Sequence, residues 1–445
     1  MVSSTLIKNA KVVNEGKVIE ADVRITGQKI EKIANDISVK HEERVIDAKG
    51  SYLLPGMIDD QVHFREPGLT HKGSIATESR AAVAGGITSY MEMPNVSPAT
   101  TTIEALEKKY DIAAQNSLAN YSFYLGATED NLEQIKRLDP TRHCGVKVFM
   151  GASTGDLLVE NPQALDLIFR ESPVLIVTHC ESGPVISQNR DALLQTKSEF
   201  TIEDHPKLRD AEACFASSSY AVGLAKQYQS QLHVLHITTE KELALFESGP
   251  IQNKHITAEA CVHHLWFSNQ DYAQLGNLIK CNPAIKYPSD RDALIRALHT
   301  NQIDIIATDH APHTFDEKQV PYDKAPAGLP LVQHALLTLL DHVDQGRLSI
   351  TQVVEKTAHN PAIRYAIEGR GYIKEGYFAD LVLVDEHSPT IVTHENSLYH
   401  CGWTPFAGHQ FSSRIKSTWV NGQQVFDGES VIASRVPAMA MQFER

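Results

Sequence analysis

The 445-residue sequence predicts an α/β fold, a TIM-type (β/α)8 barrel with a small β-sandwich domain formed by both termini. Three observations carry that expectation. Through the middle of the chain, eight short apolar runs alternate with longer helical patterns, as parallel β/α units do. Both ends show strand-like alternation around Gly-containing turns. Histidine, lysine and aspartate recur where the central runs stop, which is where a β/α barrel presents its chemistry.

The elements follow in order. Leu6–Val13 and Ala21–Ile25 read as the first strands of the small domain. The barrel strands are expected at Tyr52–Ile58, Thr88–Met93, Tyr121–Gly126, Val146–Met150, Val174–Thr178, His233–His236, His255–Ala258 and Ile303–Thr308. Ala379–Val384 and Ser417–Val425 complete the small domain, the latter folding back at Asn421-Gly422, a dipeptide suited to a two-residue hairpin turn. The expected division is 1–54 for the first part of the small domain, 55–370 for the barrel and 371–445 for the remainder and tail.

Composition narrows the function. Hydrophobic residues make up 42% and charged residues 22%, the balance of a globular enzyme rather than a disordered or fibrous chain. A formal net charge of −14 without a basic stripe argues against nucleic acid or an anionic membrane as partner. An anionic small substrate therefore needs a local cationic contact. The start, Met1-Val2-Ser3-Ser4-Thr5-Leu6, has neither a basic segment nor a long apolar run, so a cytoplasmic location is expected. The six cysteines include no C-x-x-C pair and are expected as reduced thiols.

The 21 histidines are the informative excess. His63 follows the first expected strand, Lys147 lies in the fourth, His179 ends the fifth, His236 the sixth and Asp309 the eighth. One such residue is weak evidence, because strand-end histidines often have structural partners. Five at five different strands point to a metal or acid–base centre. Imidazole and carboxylate groups bind zinc, and a catalytic zinc site keeps one position open for water. A protonated lysine cannot bind a cation, but burial in a strand favours the neutral, reactive amine.

Longer motifs give the pattern a relative. Pro55-Gly56-Met57-Ile58-Asp59-Asp60-Gln61-Val62-His63-Phe64-Arg65-Glu66-Pro67-Gly68 resembles the opening of the dihydroorotases of the amidohydrolase superfamily, where a strand carries His-x-His and then Arg-Glu-Pro-Gly. Met93-Pro94-Asn95, Thr178-His179-Cys180-Glu181, His236-Ile237-Thr238-Thr239, Cys281-Asn282-Pro283 and Ala307-Thr308-Asp309-His310-Ala311-Pro312-His313 extend the resemblance in order. It implies one or two zinc ions held by His63, Lys147, His179, His236 and Asp309, with Lys147 carboxylated by carbon dioxide and bridging the metals. It implies Asp309 as the catalytic acid and base, and Arg65, Asn95, Asn282 and His313 as substrate-binding residues. The implied reaction interconverts dihydroorotate and N-carbamoyl-aspartate, a step of pyrimidine (UMP) biosynthesis, and the expected assembly is a homo-oligomer such as a dimer. The Arg65 guanidinium matches the ring carboxylate of that substrate. The alternatives are a non-catalytic, dihydroorotase-like partner of aspartate transcarbamoylase, or another cyclic amidohydrolase of the allantoinase or hydantoinase type.

One position departs from the pattern. Gln61 stands where the first histidine of His-x-His is usual, and its amide oxygen is a weaker zinc ligand than imidazole. Residues 61 and 63 share one face of a strand, so Asp60 is expected to point the other way. His233, His263 and His264 are expected in packing or supporting roles rather than in the metal set. Gly151-Ala152-Ser153-Thr154-Gly155 suits either a mobile loop closing on substrate or a plain polar turn.

Overall fold

The computed structural model describes residues 4–151, 157–433 and 438–445, so Ser153 and Thr154 lie outside the described residues. Ser4–Asn14 (β1) and Lys17–Thr26 (β2) form an antiparallel hairpin, followed in the same sheet by Lys29–Ala34 (β3), Arg44–Asp47 (β4) and Tyr52–Pro55 (β5). The chain then enters a second sheet of eight parallel strands. These are Met57–Val62 (β6), Ile87–Glu92 (β7), Asn120–Gly126 (β8), Gly145–Met150 (β9), Ile176–Cys180 (β10), Leu232–Val234 (β11), Ile256–Cys261 (β12) and Ile305–Ala307 (β13), hydrogen-bonded in chain order. A parallel bridge between Val62 and His310, with the His63 N–H donating to the His310 carbonyl at 2.7 Å, brings the last strand back to the first. The result is the barrel that the sequence predicts.

Leu381–Asp385 (β14) returns to the first sheet and pairs with β5. Thr390–Ile391 (β15) and Gln410–Phe411 (β16) make a small ladder of their own, and Arg414–Val420 (β17) and Gln423–Phe426 (β18) finish the first sheet. The turn at Asn421-Gly422 has φ values of 49° and 75°, the left-handed pair that a tight hairpin requires.

The expected first barrel strand, Tyr52–Ile58, is two strands. Tyr52–Pro55 belongs to the terminal sheet, and the barrel begins at Met57. Gly56 makes the handover: its N–H donates to the Asp380 carbonyl at 2.9 Å, and a Cβ there would lie 2.1 Å from Thr88 Oγ1. Only glycine permits that approach. The seventh strand also runs beyond its expected end at Ala258 to Cys261, because the charged Glu259 is buried inside the barrel rather than ending the strand.

Helices cover the outside. Ile75–Ala84 starts at a Ser74 capping box and buries Ile75, Ala81, Ala82 and Val83 against the strands, while Pro162–Glu171 is capped by Asn161 and buries Leu165, Ile168 and Phe169. Such caps satisfy N–H groups that the helix itself leaves free. Inside the barrel, Ile58, Met91, Tyr124, Val177 and Ile305 from five different strands, with Leu235 just after a sixth, pack with Tyr365. They close the lumen below the site. A third apolar cluster, around Leu53, Leu381 and Trp419, is the core of the terminal sheet.

A buried polar seam joins the two sheets. Asp380 accepts from Asn120 Nδ2 of β8 at 3.2 Å, from the Asn421 N–H at 2.7 Å and from the Arg370 guanidinium, and Asn421 Nδ2 donates to Asn120 Oδ1 at 2.8 Å. Every member is buried. Removing the carboxylate would leave Arg370 charged and unpaired, so Asp380→Ala should cost about 3–5 kcal/mol of stability. Chemical denaturation is the check; an unchanged midpoint would show that the seam contributes nothing.

Candidate active site

The polar residues singled out from the sequence converge at the carboxyl ends of the barrel strands. Gln61, His63, Arg65, Asn95, Lys147, His179, His236, Asn282 and Asp309 line one cavity, together with Phe149, Ala311, Ala327 and Gly328. His63, Lys147, His179, His236 and Asp309 come from five different barrel strands or the residues that follow them. Arg65, His236 and Asp309 have φ values of 71°, 39° and 51°. Left-handed backbone at three non-glycine residues is strained, and such strain persists where the surrounding structure over-determines it.

His63 stands between two acceptors. Its Nδ1 is 2.7 Å from Asn95 Oδ1 and its Nε2 is 3.0 Å from Asp309 Oδ1. Burial lowers the pKa of His63 and so favours its neutral form, while Asp309 opposes that shift. His179 repeats the pattern. Its Nε2 donates to Glu181 at 2.9 Å, so its Nδ1 lone pair is aimed at His236 Nε2, 3.0 Å away. Burial keeps both of these rings towards the neutral form as well. Imidazole and carboxylate groups gathered this way are the donor set of a cation site.

Lys147 is almost wholly buried, with its Nζ 4.8 Å from the centre of the Phe149 ring. Burial lowers its pKa to about 8, while Asp309 and Glu259 oppose that shift only through space. A larger neutral fraction than an exposed lysine carries follows, and the neutral amine is the form that reacts with carbon dioxide. Arg65 is lowered to about 10, again by burial, and stays cationic at neutral pH. Its Nε donates to the Pro312 carbonyl at 3.0 Å, and Asp309, Glu92 and Glu317 act on it through space without a hydrogen bond. Among the described residues no carboxylate is bonded to this guanidinium, which faces the cavity.

His313 does not line the cavity. It stands behind Arg65, with Nε2 at 3.0 Å from both Arg65 Nη2 and the Ala327 carbonyl, and with Nδ1 accepting from Lys72 at 3.0 Å. Trp403 holds the same segment by donating Nε1–H to the His313 carbonyl at 2.8 Å.

Asp60 corrects the strand-alternation reading. The register of β6 is irregular between Asp59 and Val62, and Asp60 turns into the lumen rather than away from it. There it accepts from Tyr365 Oη at 2.9 Å and lies 3.2 Å from His233 Nε2. Burial opposes charge on His233, but Asp60 and Glu259 raise its pKa to about 9. Glu259 in turn accepts the His236 N–H at 3.0 Å. Strand periodicity hid this layer, and so Glu259 was missed. Glu181 had a sequence signal in its i+2 spacing from His179; Arg209, which donates to Glu181 at 2.5 Å from a distant loop, had none.

The described residues contain no helix long and apolar enough to cross a membrane. A model of the amidohydrolase family matches residues 52–425. A protein of Halobacterium salinarum named dihydroorotase is 33% identical over 425 residues, covering 95% of this chain and 96% of its own. A dihydroorotase of Staphylococcus aureus is 30% identical over 430 residues, covering 95% of this chain and 99% of its own. Among solved structures, the L-hydantoinase (dihydropyrimidinase) from Arthrobacter aurescens superposes with a TM-score of 0.92 at 25% identity, covering 97% of this chain and 98% of that one. With a family match over most of its length and relatives above 30% identity along nearly all of it, the chain belongs to the amidohydrolase family.

Proposed function

We propose that this chain is a dihydroorotase, interconverting dihydroorotate and N-carbamoyl-aspartate by hydrolysis and closure of the ring amide. The carrying observation is Arg65: a buried guanidinium, with no carboxylate bonded to it among the described residues, in the wall of a cavity whose other groups suit amide hydrolysis. Dihydroorotate brings the carboxylate that this fork matches. The names of the relatives agree with that choice.

The donor set fits a metal, because three buried imidazoles, a carboxylate and a buried lysine meet in one cavity, with His63 3.0 Å from Asp309 and His179 3.0 Å from His236. We assign His63, Asp309, His179, His236 and Lys147, the last as its carbamate, to hold one or two zinc ions. Zinc there would polarise the ring carbonyl and make water acidic near neutral pH. Asp309 takes the proton from the attacking water and passes it to the ring nitrogen as the C–N bond breaks. Arg65 fixes the substrate carboxylate. Asn282 Oδ1 is buried without a partner among the described residues and lines the cavity, so it is the acceptor for a ring N–H. Asn95 orients His63, and His313 orients Arg65 from behind. Gln61 weakens the position it shares with His63, so the two metal positions are unequal in affinity. A cytoplasmic enzyme fits the six free thiols.

The hydantoinase reading has the structural superposition in its favour. Rings of that class without a carboxylate would leave the Arg65 charge unmatched in a buried wall. A non-catalytic partner role leaves the assembled donor set without a purpose.

Two substitutions test the assignment. Arg65→Met should lower kcat/KM for dihydroorotate by about 1.5–3 kcal/mol in transition-state terms; steady-state kinetics equal to the parent protein would remove Arg65 from substrate binding. Lys147→Ala should be inactive and partly restored by added short carboxylates, which occupy the place of the carbamate. Full activity of Lys147→Ala without any carboxylate would take the lysine out of the centre.

A further inference from the structure

We propose that Cys261, His263 and His264 form a separate binding site for one zinc-class cation, distinct from the donor set assigned to catalysis. Cys261 ends β12, and the two histidines lie in the first turn of the short helix Val262–Trp266 that follows. One donor atom from each of the three lies within 4.8 Å of the others, and all three residues are buried.

The state of the imidazoles points to a ligand. His264 Nε2 is 3.0 Å from the Pro283 carbonyl and donates to it, so its Nδ1 carries a lone pair, and that atom has no partner among the described residues. His263 is completely buried, and neither of its ring nitrogens is hydrogen-bonded among the described residues; the Thr308 backbone is near but outside hydrogen-bond geometry. Their ring centroids are 3.9 Å apart. Buried polar atoms without partners are rare in folded proteins, and here three such nitrogens collect beside a thiol. A pure packing role leaves all of them unsatisfied, whereas a cation engages one nitrogen of each ring together with the thiol.

The chemistry selects the ion. Thiolate and imidazole donors favour zinc over magnesium or calcium. Gln61 Oε1 lies 3.7 Å from Cys261 Sγ and also lines the active-site cavity. It offers a fourth donor on the side that faces that cavity. On binding, the S–H bond breaks, the proton leaves to water and a sulfur–metal bond forms, with no change of oxidation state.

The test is a titration of the metal-stripped full-length protein with Co2+, read by thiolate-to-cobalt charge-transfer absorption. The parent chain and His179→Ala/His236→Ala, which lacks two ligands of the catalytic set, should both show the band. Cys261→Ser should lose it. His263→Ala, with its fold verified by circular dichroism, should keep the band but bind Co2+ at least about tenfold more weakly. Absence of the band in the parent chain would overturn the proposal. So would an unchanged band in Cys261→Ser, its loss in His179→Ala/His236→Ala, or unchanged affinity in His263→Ala.

Discussion

At the mouth of the barrel, His63 faces Asp309 and His179 faces His236, each across 3.0 Å. Both contacts lie in a buried place where charge is poorly screened. Asn95 and Glu181 hold the outer nitrogens of His63 and His179. A cation between the partners would engage all four facing atoms, so much of the surrounding structure serves to hold these donors in place. Left-handed backbone at His236 and Asp309 belongs to the same constraint.

Beneath that mouth the lumen is layered. Ile58, Met91, Val177 and their neighbours form an apolar floor, and above it lies the charged layer of Asp60, His233 and Glu259. This layer is tied to the floor by the Tyr365 hydroxyl on Asp60 and to the site by the His236 N–H on Glu259. A buried carboxylate pair would be costly alone; the intervening imidazolium compensates it. The donors therefore sit on a stiff polar platform rather than on flexible loops, a condition for catalysis by positioned groups.

Much of this was legible in the sequence because strand ends and chemistry coincide. His63, Lys147, His179, His236 and Asp309 stood out as polar residues closing apolar runs, and Asn421-Gly422 announced its hairpin. The less legible features come from departures from strict period and from distance along the chain. Gly56 divides what reads as one apolar strand, an irregularity in β6 rotates Asp60 into the lumen, and buried Glu259 looks like a strand terminator. Arg209 reaches Glu181 only because the chain folds a distant loop over the barrel end. None of these follows from local pattern, since each is decided by a tertiary contact that overrides propensity.

The central claim is that this cavity recognises a ring carboxylate through Arg65, and substrate discrimination tests it most directly. The chain loaded with zinc should be assayed in parallel on dihydroorotate and on dihydrouracil, the same ring without the carboxylate. A site that buries an unmatched guanidinium should favour dihydroorotate in kcat/KM by at least about a hundredfold. Equal turnover of the two rings, or a preference for dihydrouracil, would contradict the account.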